Sequence, residues 1–366
     1  MTHFTCDGRY TADLKTYTET VLERFGIASQ SAEREIMSLA DSGNTVALKL
    51  YGDMIFYKKL LRHHPYREAF DLYMRAAGLT PAVFGSDAKA ASWTSDGAAY
   101  PLAFWDVAYY LVHYRRDSFL KECEAIAAID ALPLTERLGL ALKLAVSCID
   151  YVNAAEAINL VGLILKEASD DEALFAELKP VIAETVEGRE FPEISLKIGR
   201  CETADDCSSA AALFFITAAK EGYAYACNSL AAREADRIIA MNAGQTPGSS
   251  ASEELKEAIE TYLTYLKLSA DKYEPYACNR LGLFYMTGEI RGTSGKTCCR
   301  DYVNTSLAKE YFTRATIYPD ANSAWAFLNL IQFFQKDYDC DIELMNEHMD
   351  YIKALNPEVY NIAMDL

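Results

Sequence analysis

Hydrophobic residues recur along most of this chain at the three-to-four-residue spacing of an amphipathic α-helix. The runs ADLKTYTETVLERF, LGLALKLAVSCIDY and ELKEAIETYLTYLKLSA show this spacing, which places their apolar side chains on one helical face. Short turn signals, such as SGN at 42–44 and YEP at 273–275, separate such runs, and alternating β-branched runs are sparse. The pattern predicts an all-α protein of about sixteen or seventeen helices with short connections.

Two of these helices carry almost the same six residues. YACNSL occupies 225–230, and YACNRL occupies 276–281, 51 residues later. Counted from the alanine of each copy, a leucine follows at +4 and a small residue at +5, and these positions share one stripe of a helix. Offsets of this kind also follow four other alanines, namely Ala47, Ala103, Ala157 and Ala324. The repetition predicts a recurring helix type, which we call the first helix of each pair.

A second helix type lies near these first helices and combines alanines with aromatic residues. Its copies carry Ala69, Tyr73 and Ala76; Ala211, Phe214 and Ala218; and Ala308, Phe312 and Ala315. Small residues let two helices approach closely, and aromatic rings fill the space between helical layers. Such helix pairs bury their apolar faces only when neighbouring pairs stack, which is the packing of a solenoid.

These pairs resemble a known family, the Sel1-like repeats, which are α/α solenoids related to tetratricopeptide repeats. The closest copies are NTVALKLYGDMIFY with YREAFDLYMRAAG, and PYACNRLGLFYMTGEI with the helices after it. The similarity covers 38–79 and about 207–336. The resemblance implies an all-α, right-handed α/α solenoid of helix-turn-helix repeats with irregular insertions. It also implies an adaptor or scaffold role without catalysis.

We expect three regions within one continuous superhelix. They are 1–97, N-terminal helices with the first clear repeat at 38–79; 98–200, degenerate helical hairpins; and 201–366, the C-terminal repeats. Three stretches break the helical rhythm. They are the irregular segment 80–97, a predicted flexible loop at 242–252, and a predicted insertion at 288–304.

The charge balance narrows the partners that this chain can attract. Lys and Arg total 35 against 53 Asp and Glu, for a formal net charge of −18. This excess disfavours nucleic acid and anionic membrane surfaces, whose phosphates require a positive field. It is consistent with a basic protein or peptide partner, or simply with solubility. The sequence shows neither an export leader nor a long apolar segment, and its ten cysteines are scattered, so we expect reduced thiols in a cytoplasmic protein.

Motifs that would carry chemistry are incomplete in this sequence. GTSGKT at 292–297 lacks the first glycine of a phosphate-binding loop, because Ile290 stands there, and we interpret it as a flexible loop. The close pairs Cys201 with Cys207 and Cys298 with Cys299 find no histidines at zinc-site spacing. Cys227 and Cys278 fall inside the packing stripe, and we interpret them as small buried hydrophobic residues. We therefore expect no catalytic residue, no metal and no cofactor.

These observations favour a non-catalytic scaffold that binds a protein or peptide partner on a curved acidic surface. We expect contacts from polar positions off the packing stripe and from an aromatic helix near 100–116; the candidates are Asn228, Ser229, Asn279, Arg280, Trp105 and Tyr109. An alternative is a ligand-responsive sensor or enzyme with a pocket between repeat halves. A closed pocket that contains a carboxylate or histidine with a perturbed pKa would support this alternative. Self-association is a third option.

Overall fold

The structure is a computed structural model that describes residues 32–56, 65–79, 100–113, 129, 132–151, 154–243, 252–317, 323–335 and 342–365. Within these ranges the chain forms fifteen α-helices and two short β-hairpins. It divides into two compact units, which comprise the described residues of 32–218 (unit 1) and of 219–365 (unit 2).

Unit 1 contains eight helices and one hairpin. The helices are α1 (Ala32–Asp41), α2 (Thr45–Phe56), α3 (Pro65–Ala76), α4 (Leu102–His113), α5 (Leu134–Tyr151), α6 (Ala155–Ser169), α7 (Glu172–Thr185) and α8 (Ala204–Lys220), of which the last two residues belong to unit 2. The strands β1 (Glu190–Phe191) and β2 (Leu196–Lys197) pair in antiparallel orientation. Helix α2 packs against α3 and α4 against α5, and α3 packs on α4 to join these pairs.

Unit 2 contains seven helices and the second hairpin. The helices are α9 (Ala224–Ala243), α10 (Glu253–Ala270), α11 (Pro275–Thr287), α12 (Thr305–Arg314), α13 (Ser323–Gln335), α14 (Ile342–Leu355) and α15 (Pro357–Met364). Successive pairs form between α9 and α10, α11 and α12, and α13 and α14, and each pair packs on the next. This stacking is that of an α/α solenoid, and the predicted all-α class is confirmed.

Side-chain oxygens start several of these helices where the sequence carries a polar residue. Asp171 accepts hydrogen bonds from the backbone amides of Ala173 and Leu174 at the start of α7. Ser252 and Asn304 play the same part at α10 and α12. Because the first amides of a helix have no partner within it, these caps fix where each helix begins.

Three first helices carry a glycine that faces an aromatic ring from a second helix. The pairs are Gly52 with Tyr73, Gly162 with Phe215, and Gly282 with Phe312. A Cβ atom added to Gly52 would lie 2.6 Å from Cε1 of the Tyr73 ring, well inside van der Waals contact. The predicted packing of small residues against aromatic rings is therefore confirmed, and in these three pairs it leaves no room for a side chain on the first helix.

The predicted flexible loop around GTSGKT is wrong, because the segment is an ordered hairpin. Strands β3 (Glu289–Arg291) and β4 (Lys296–Cys298) pair in antiparallel register, with Ile290 opposite Thr297. The Ile290 side chain is fully buried and anchors the hairpin to the core of unit 2.

A single aspartate on α9 holds the tip of this hairpin. The hydroxyl of Thr293 donates to Asp236 Oδ2 at 2.7 Å, and the backbone amide and hydroxyl of Ser294 each donate to Oδ1 at 3.0 Å. The polar groups of the turn thus form hydrogen bonds with another helix rather than with solvent. Because a turn and a flexible loop use the same polar residues, composition alone does not distinguish them.

Several expectations fall outside the described residues. These are the irregular stretch at 80–97 and most of the loop at 242–252. The predicted regions at 1–97, 98–200 and 201–366, and their continuity in one superhelix, stay predictions. Within the part of the chain that the structure describes, no helix is both long and apolar enough to cross a membrane.

Candidate functional site

The structure divides the six predicted contact residues between the two units. Asn228, Ser229, Asn279 and Arg280 belong to unit 2, and Trp105 and Tyr109 belong to unit 1.

Asn228 and Asn279 are not surface residues, which corrects the expectation that they lie off the packing stripe in solvent. Their exposed fractions are 9% and 8%. Asn228 Nδ2 donates a hydrogen bond of 2.8 Å to Glu274 Oε2, and Asn329 Nδ2 donates one of 2.8 Å to Asn279 Oδ1. In each case the partner belongs to the next helix pair, and the stacking of that pair covers the amide. These amides therefore join successive repeats.

Glu274 makes the first of these junctions and was missed by the sequence analysis. Its Oε1 accepts from the backbone amide of Tyr276 at 3.1 Å, and its Oε2 accepts from that of Ala277 at 2.7 Å as well as from Asn228. The side chain is fully buried. Glutamate is not among the residues preferred at a helix start, so residue type alone does not predict a cap at position 274.

Ser229 and Arg280 are half-buried and bound within unit 2. The Ser229 hydroxyl donates to the backbone carbonyl of Tyr225 at 3.1 Å, within the same helix. The Arg280 guanidinium donates to the carbonyl of Arg291, which connects α11 to the hairpin. Contact of either residue with a partner stays a prediction.

Trp105 and Tyr109 lie together in a small cleft of unit 1. Its volume is about 10 Å³, room for about one water molecule. Its lining residues are Phe56, Tyr73, Trp105, Asp106, Tyr109 and Tyr110. The ring centroids of Trp105 and Tyr109 are 5.5 Å apart. The cleft thus combines the two predicted aromatic residues with one carboxylate, Asp106, that the sequence analysis passed over.

A buried ionic cluster adjoins this cleft through Asp106. The Lys49 ammonium lies 2.8 Å from both carboxylate oxygens of Asp53 and 3.4 Å from Oδ2 of Asp106. The Tyr73 hydroxyl donates to Asp53 Oδ1 at 2.9 Å. Lys49, Asp53 and Asp106 are 3%, 0% and 4% exposed, so the cluster lies in the interior of unit 1, where charge is costly unless it is compensated.

A third carboxyl group lies near this cluster. Glu156 on α6 is also buried, and the Lys49 ammonium attracts its carboxylate as well. Burial, with added repulsion from Asp53, raises the pKa of Asp106 to about 8 against the attraction of Lys49. Burial likewise raises the pKa of Glu156 to about 7. Near neutral pH the carboxyl groups of Asp106 and Glu156 therefore retain protons for part of the time.

The sequence does contain a signal for this cluster. Lys49 and Asp53 stand four residues apart in the apolar helix TVALKLYGDMIF, and Asp106 interrupts the apolar run LAFWDVAYYLV. Charged residues are seldom fully buried unless they are paired, so isolated charges inside apolar helices indicate a buried pair. The pairing of Lys49 with Asp53 and Asp106 was not predicted, because the prediction rested on the apolar positions of these helices.

Five of the seven cysteines that the structure describes are buried, whereas Cys298 is exposed and Cys299 is half-buried. Cys148, Cys201, Cys207, Cys227 and Cys278 are buried free cysteines, and the expectation that Cys227 and Cys278 are buried small residues is confirmed. Burial raises the pKa of Cys227, which disfavours its reactive thiolate. Within the described ranges, no three His, Cys, Asp or Glu side chains are placed together to hold a metal ion.

Comparison with known proteins returned similarity in structure alone. No protein-family model and no curated protein matches this chain. A Sel1 repeat protein from Oxalobacter formigenes is 13% identical over 92% of this chain and 91% of its own, with a TM-score of 0.33. The protective antigen c5321 of uropathogenic Escherichia coli, which displays an SLR fold, is 13% identical over 88% of this chain and 71% of its own, with a TM-score of 0.29. Both descriptions name the repeat class that the sequence resembles, and the fold assignment itself rests on the helix pairs of this chain.

Proposed function

We propose that this protein is a non-catalytic interaction scaffold that binds a protein or peptide partner through unit 2. One observation carries the proposal: the neighbouring first helices α11 and α13 each expose an aromatic side chain. Tyr276 on α11 is 40% exposed and Trp325 on α13 is 43% exposed. The buried bond between Asn279 and Asn329 fixes these two helices against each other.

Exposed aromatic rings of this kind are suited to binding. Tyr and Trp supply large contact areas at little entropic cost and dominate the energy of many protein interfaces. Tyr273 and Tyr351 of unit 2 are also more than a third exposed. Because these rings are exposed, much of their surface is available for contact with a partner.

The partner that we propose is basic. The net charge of −18 would draw cationic segments towards the chain and would repel nucleic acid. Association should therefore weaken as ionic strength rises, because salt screens attraction between exposed charges. A cytoplasmic setting, which suits the free thiols of the described cysteines, belongs to the same proposal.

Paired variants test this function. Proteins captured from a lysate of the source cell by the full chain are purified singly, and their affinity for the chain is measured by calorimetry at two salt concentrations. The double substitution Tyr276→Ser and Trp325→Ser should weaken binding at least tenfold. Leu268→Ser is the control, since Leu268 is 50% exposed on α10, and it should bind as the unaltered chain does. If the unaltered chain, the double variant and the control bind with equal affinity, the exposed aromatic residues of unit 2 do not form the binding surface. If the chain binds none of the purified candidates, the scaffold function is overturned.

A second function is favoured by one observation in unit 1. The cleft contains a carboxyl group, Asp106, whose pKa burial raises to about 8. Perturbed carboxylates in clefts are frequent at ligand sites. A ligand-responsive sensor is therefore the alternative, and a small molecule that raises the melting temperature of the full chain would support it.

A further inference from the structure

We propose that Ser294, at the tip of the second hairpin, is a phosphorylation site, and that its modification releases the tip from α9. The modifying enzyme is a protein kinase that recognises a basic residue three positions before its target serine, with ATP as the phosphoryl donor. Nothing in the scaffold function requires such a site, so the proposal stands independently of it.

The tip of the hairpin is accessible to an enzyme. The side chains of Thr293 and Ser294 are exposed, and these residues stand between two glycines, Gly292 and Gly295. Gly295 has a φ of 140°, and among the described residues the space that its Cβ would occupy is open. Two glycines let the turn change its backbone conformation once its contacts to α9 open. Exposed tips of small and polar residues are also where proteases cut folded chains most readily, because such a segment can enter an enzyme's cleft.

The charges beside Ser294 define the class of kinase. Arg291 lies three residues before it and Lys296 two residues after it, and both side chains are more than half exposed. Both cations contact the carboxylate of Glu289, which belongs to the same hairpin. Kinases select substrates partly by the pattern of charges around the target hydroxyl. Arginine three positions before the serine suits a kinase whose substrate cleft is acidic.

Phosphoryl transfer removes a hydrogen that holds the tip in place. Ser294 Oγ forms a bond to the γ-phosphorus of ATP, the bond from that phosphorus to the bridging oxygen of ADP breaks, and the hydroxyl proton passes to the kinase's catalytic base. The ester oxygen that results carries no hydrogen. It can therefore no longer donate to Asp236 Oδ1, which the hydroxyl contacts at 3.0 Å.

Repulsion then drives the tip away from α9. Burial opposes the ionisation of Asp236, but hydrogen bonds from Ser294 and Thr293 outweigh it and lower the pKa of this carboxyl group, so the carboxylate is charged at neutral pH. A phosphate with about two negative charges beside a carboxylate is strongly disfavoured. The tip therefore moves off α9 and uncovers Asp236 and Ile239, which lie close to Gly292.

Phosphate mapping of the full chain tests the site. The chain purified from its source cells is analysed by mass spectrometry and should carry phosphate on Ser294. The purified chain is also treated with ATP and the catalytic subunit of the cyclic-AMP-dependent protein kinase, which serves as a probe that prefers basic residues before its target. Ser294 should be modified, and Arg291→Ala should slow this modification at least tenfold. An equal rate in Arg291→Ala would overturn the assigned class of kinase.

Hydrogen exchange at 292–297 measures the release of the tip. Exchange there should accelerate at least tenfold in the phosphorylated chain. Ser294→Ala is the control, since the same kinase treatment should leave its exchange unchanged. Phosphorylation of Asp236→Ala should add little acceleration, because the contacts to α9 are already missing. Two results would each overturn the proposal: no phosphate on Ser294 in the chain from source cells, or slow exchange at 292–297 after Ser294 is phosphorylated. Neither result bears on the scaffold function, because no partner is present.

Discussion

The side-chain amide of Asn228 donates a 2.8 Å hydrogen bond to the carboxylate of Glu274, 46 residues further along the chain. The same carboxylate caps α11 through the amides of Tyr276 and Ala277. One buried side chain therefore starts a helix and joins it to the preceding repeat. The arrangement gives the two copies of the YACN motif a structural meaning, since Asn279 makes the corresponding junction to Asn329.

Asn228→Ala should destabilise the chain by about 1.5–3 kcal/mol, because a buried carboxylate loses one of its donors. Urea denaturation of the full chain, followed by circular dichroism, measures the change. Ser229→Ala is the control: its hydroxyl bonds only within α9, to Tyr225, and the substitution should fall within about 0.5 kcal/mol of the unaltered chain. Equal stability of both variants would show that the junction contributes nothing.

Gly282→Ala should lower stability by about 1–3 kcal/mol, because the new methyl group would collide with the Phe312 ring. Thermal or urea denaturation gives the value. Combining it with Phe312→Leu should recover part of the loss, since the smaller side chain vacates the contact.

Gly139→Ala provides the matched comparison for this glycine. A Cβ added at Gly139 would lie 3.5 Å from Val181, which is an ordinary contact. Alanine favours a helix over glycine by about 1 kcal/mol, so this variant should be as stable as the unaltered chain or more so. Equal losses at both glycines would contradict the steric explanation.

The stability of unit 1 should fall as pH rises from about 4 to 8. The carboxyl of Asp106 has an ordinary pKa of 3.8, which burial raises to about 8 in the folded chain. Between these two pH values the folded state holds a proton that the unfolded state has released. The contribution of this group to the free energy of unfolding is therefore fully present below about pH 4 and is lost progressively as the pH rises to about 8. Glu156, whose pKa burial raises to about 7, acts in the same direction.

Asp106→Asn should remove much of this pH dependence, because asparagine does not titrate. The free energy of unfolding of the variant, minus that of the unaltered chain, should therefore be larger at pH 9 than at pH 5. Urea denaturation at one-unit pH intervals supplies the profiles. Parallel profiles for the two proteins would mean that Asp106 titrates normally in the folded chain.

Asp236→Ala should release the tip of the second hairpin without unfolding unit 2. The substitution removes the acceptor of three hydrogen bonds from Thr293 and Ser294, while Ile290 stays buried at the base. Hydrogen exchange at 292–297 should accelerate at least tenfold. Glu257→Ala, at an exposed site on α10, should leave exchange there unchanged; an unchanged rate in Asp236→Ala would contradict the anchoring role.

Periodicity predicted the helices and their pairing because both depend on nearby residues. Gly282 at +5 from Ala277 signals close approach, and Phe312 lies in the next predicted helix, so local spacing pointed to their contact. The bond from Ser294 to Asp236 spans 58 residues, and composition in the turn carries no sign of it. For this reason the hairpin was mistaken for a flexible loop.

The cleft was half predicted for a similar reason. Trp105 and Tyr109 stand out as large aromatic residues on one helix, and the structure places both in the cleft. Asp106 stands between them, but its partner Lys49 comes from another helix. Only the folded chain shows that these two charges meet. Likewise, Asn228 and Asn279 were expected in solvent because the helix that covers each of them lies about 50 residues away.

The two asparagine junctions bear on how unit 2 unfolds. Repeats in a stack contact only their neighbours, so such proteins lose structure piecemeal unless the interfaces between repeats are strong. Asn228 with Glu274 and Asn279 with Asn329 lie in successive interfaces. If one helix pair opens, the buried polar group at each interface with a neighbouring pair loses its hydrogen-bond partner. Fraying of a single repeat is thereby penalised, and α9 to α13 should melt as one cooperative block.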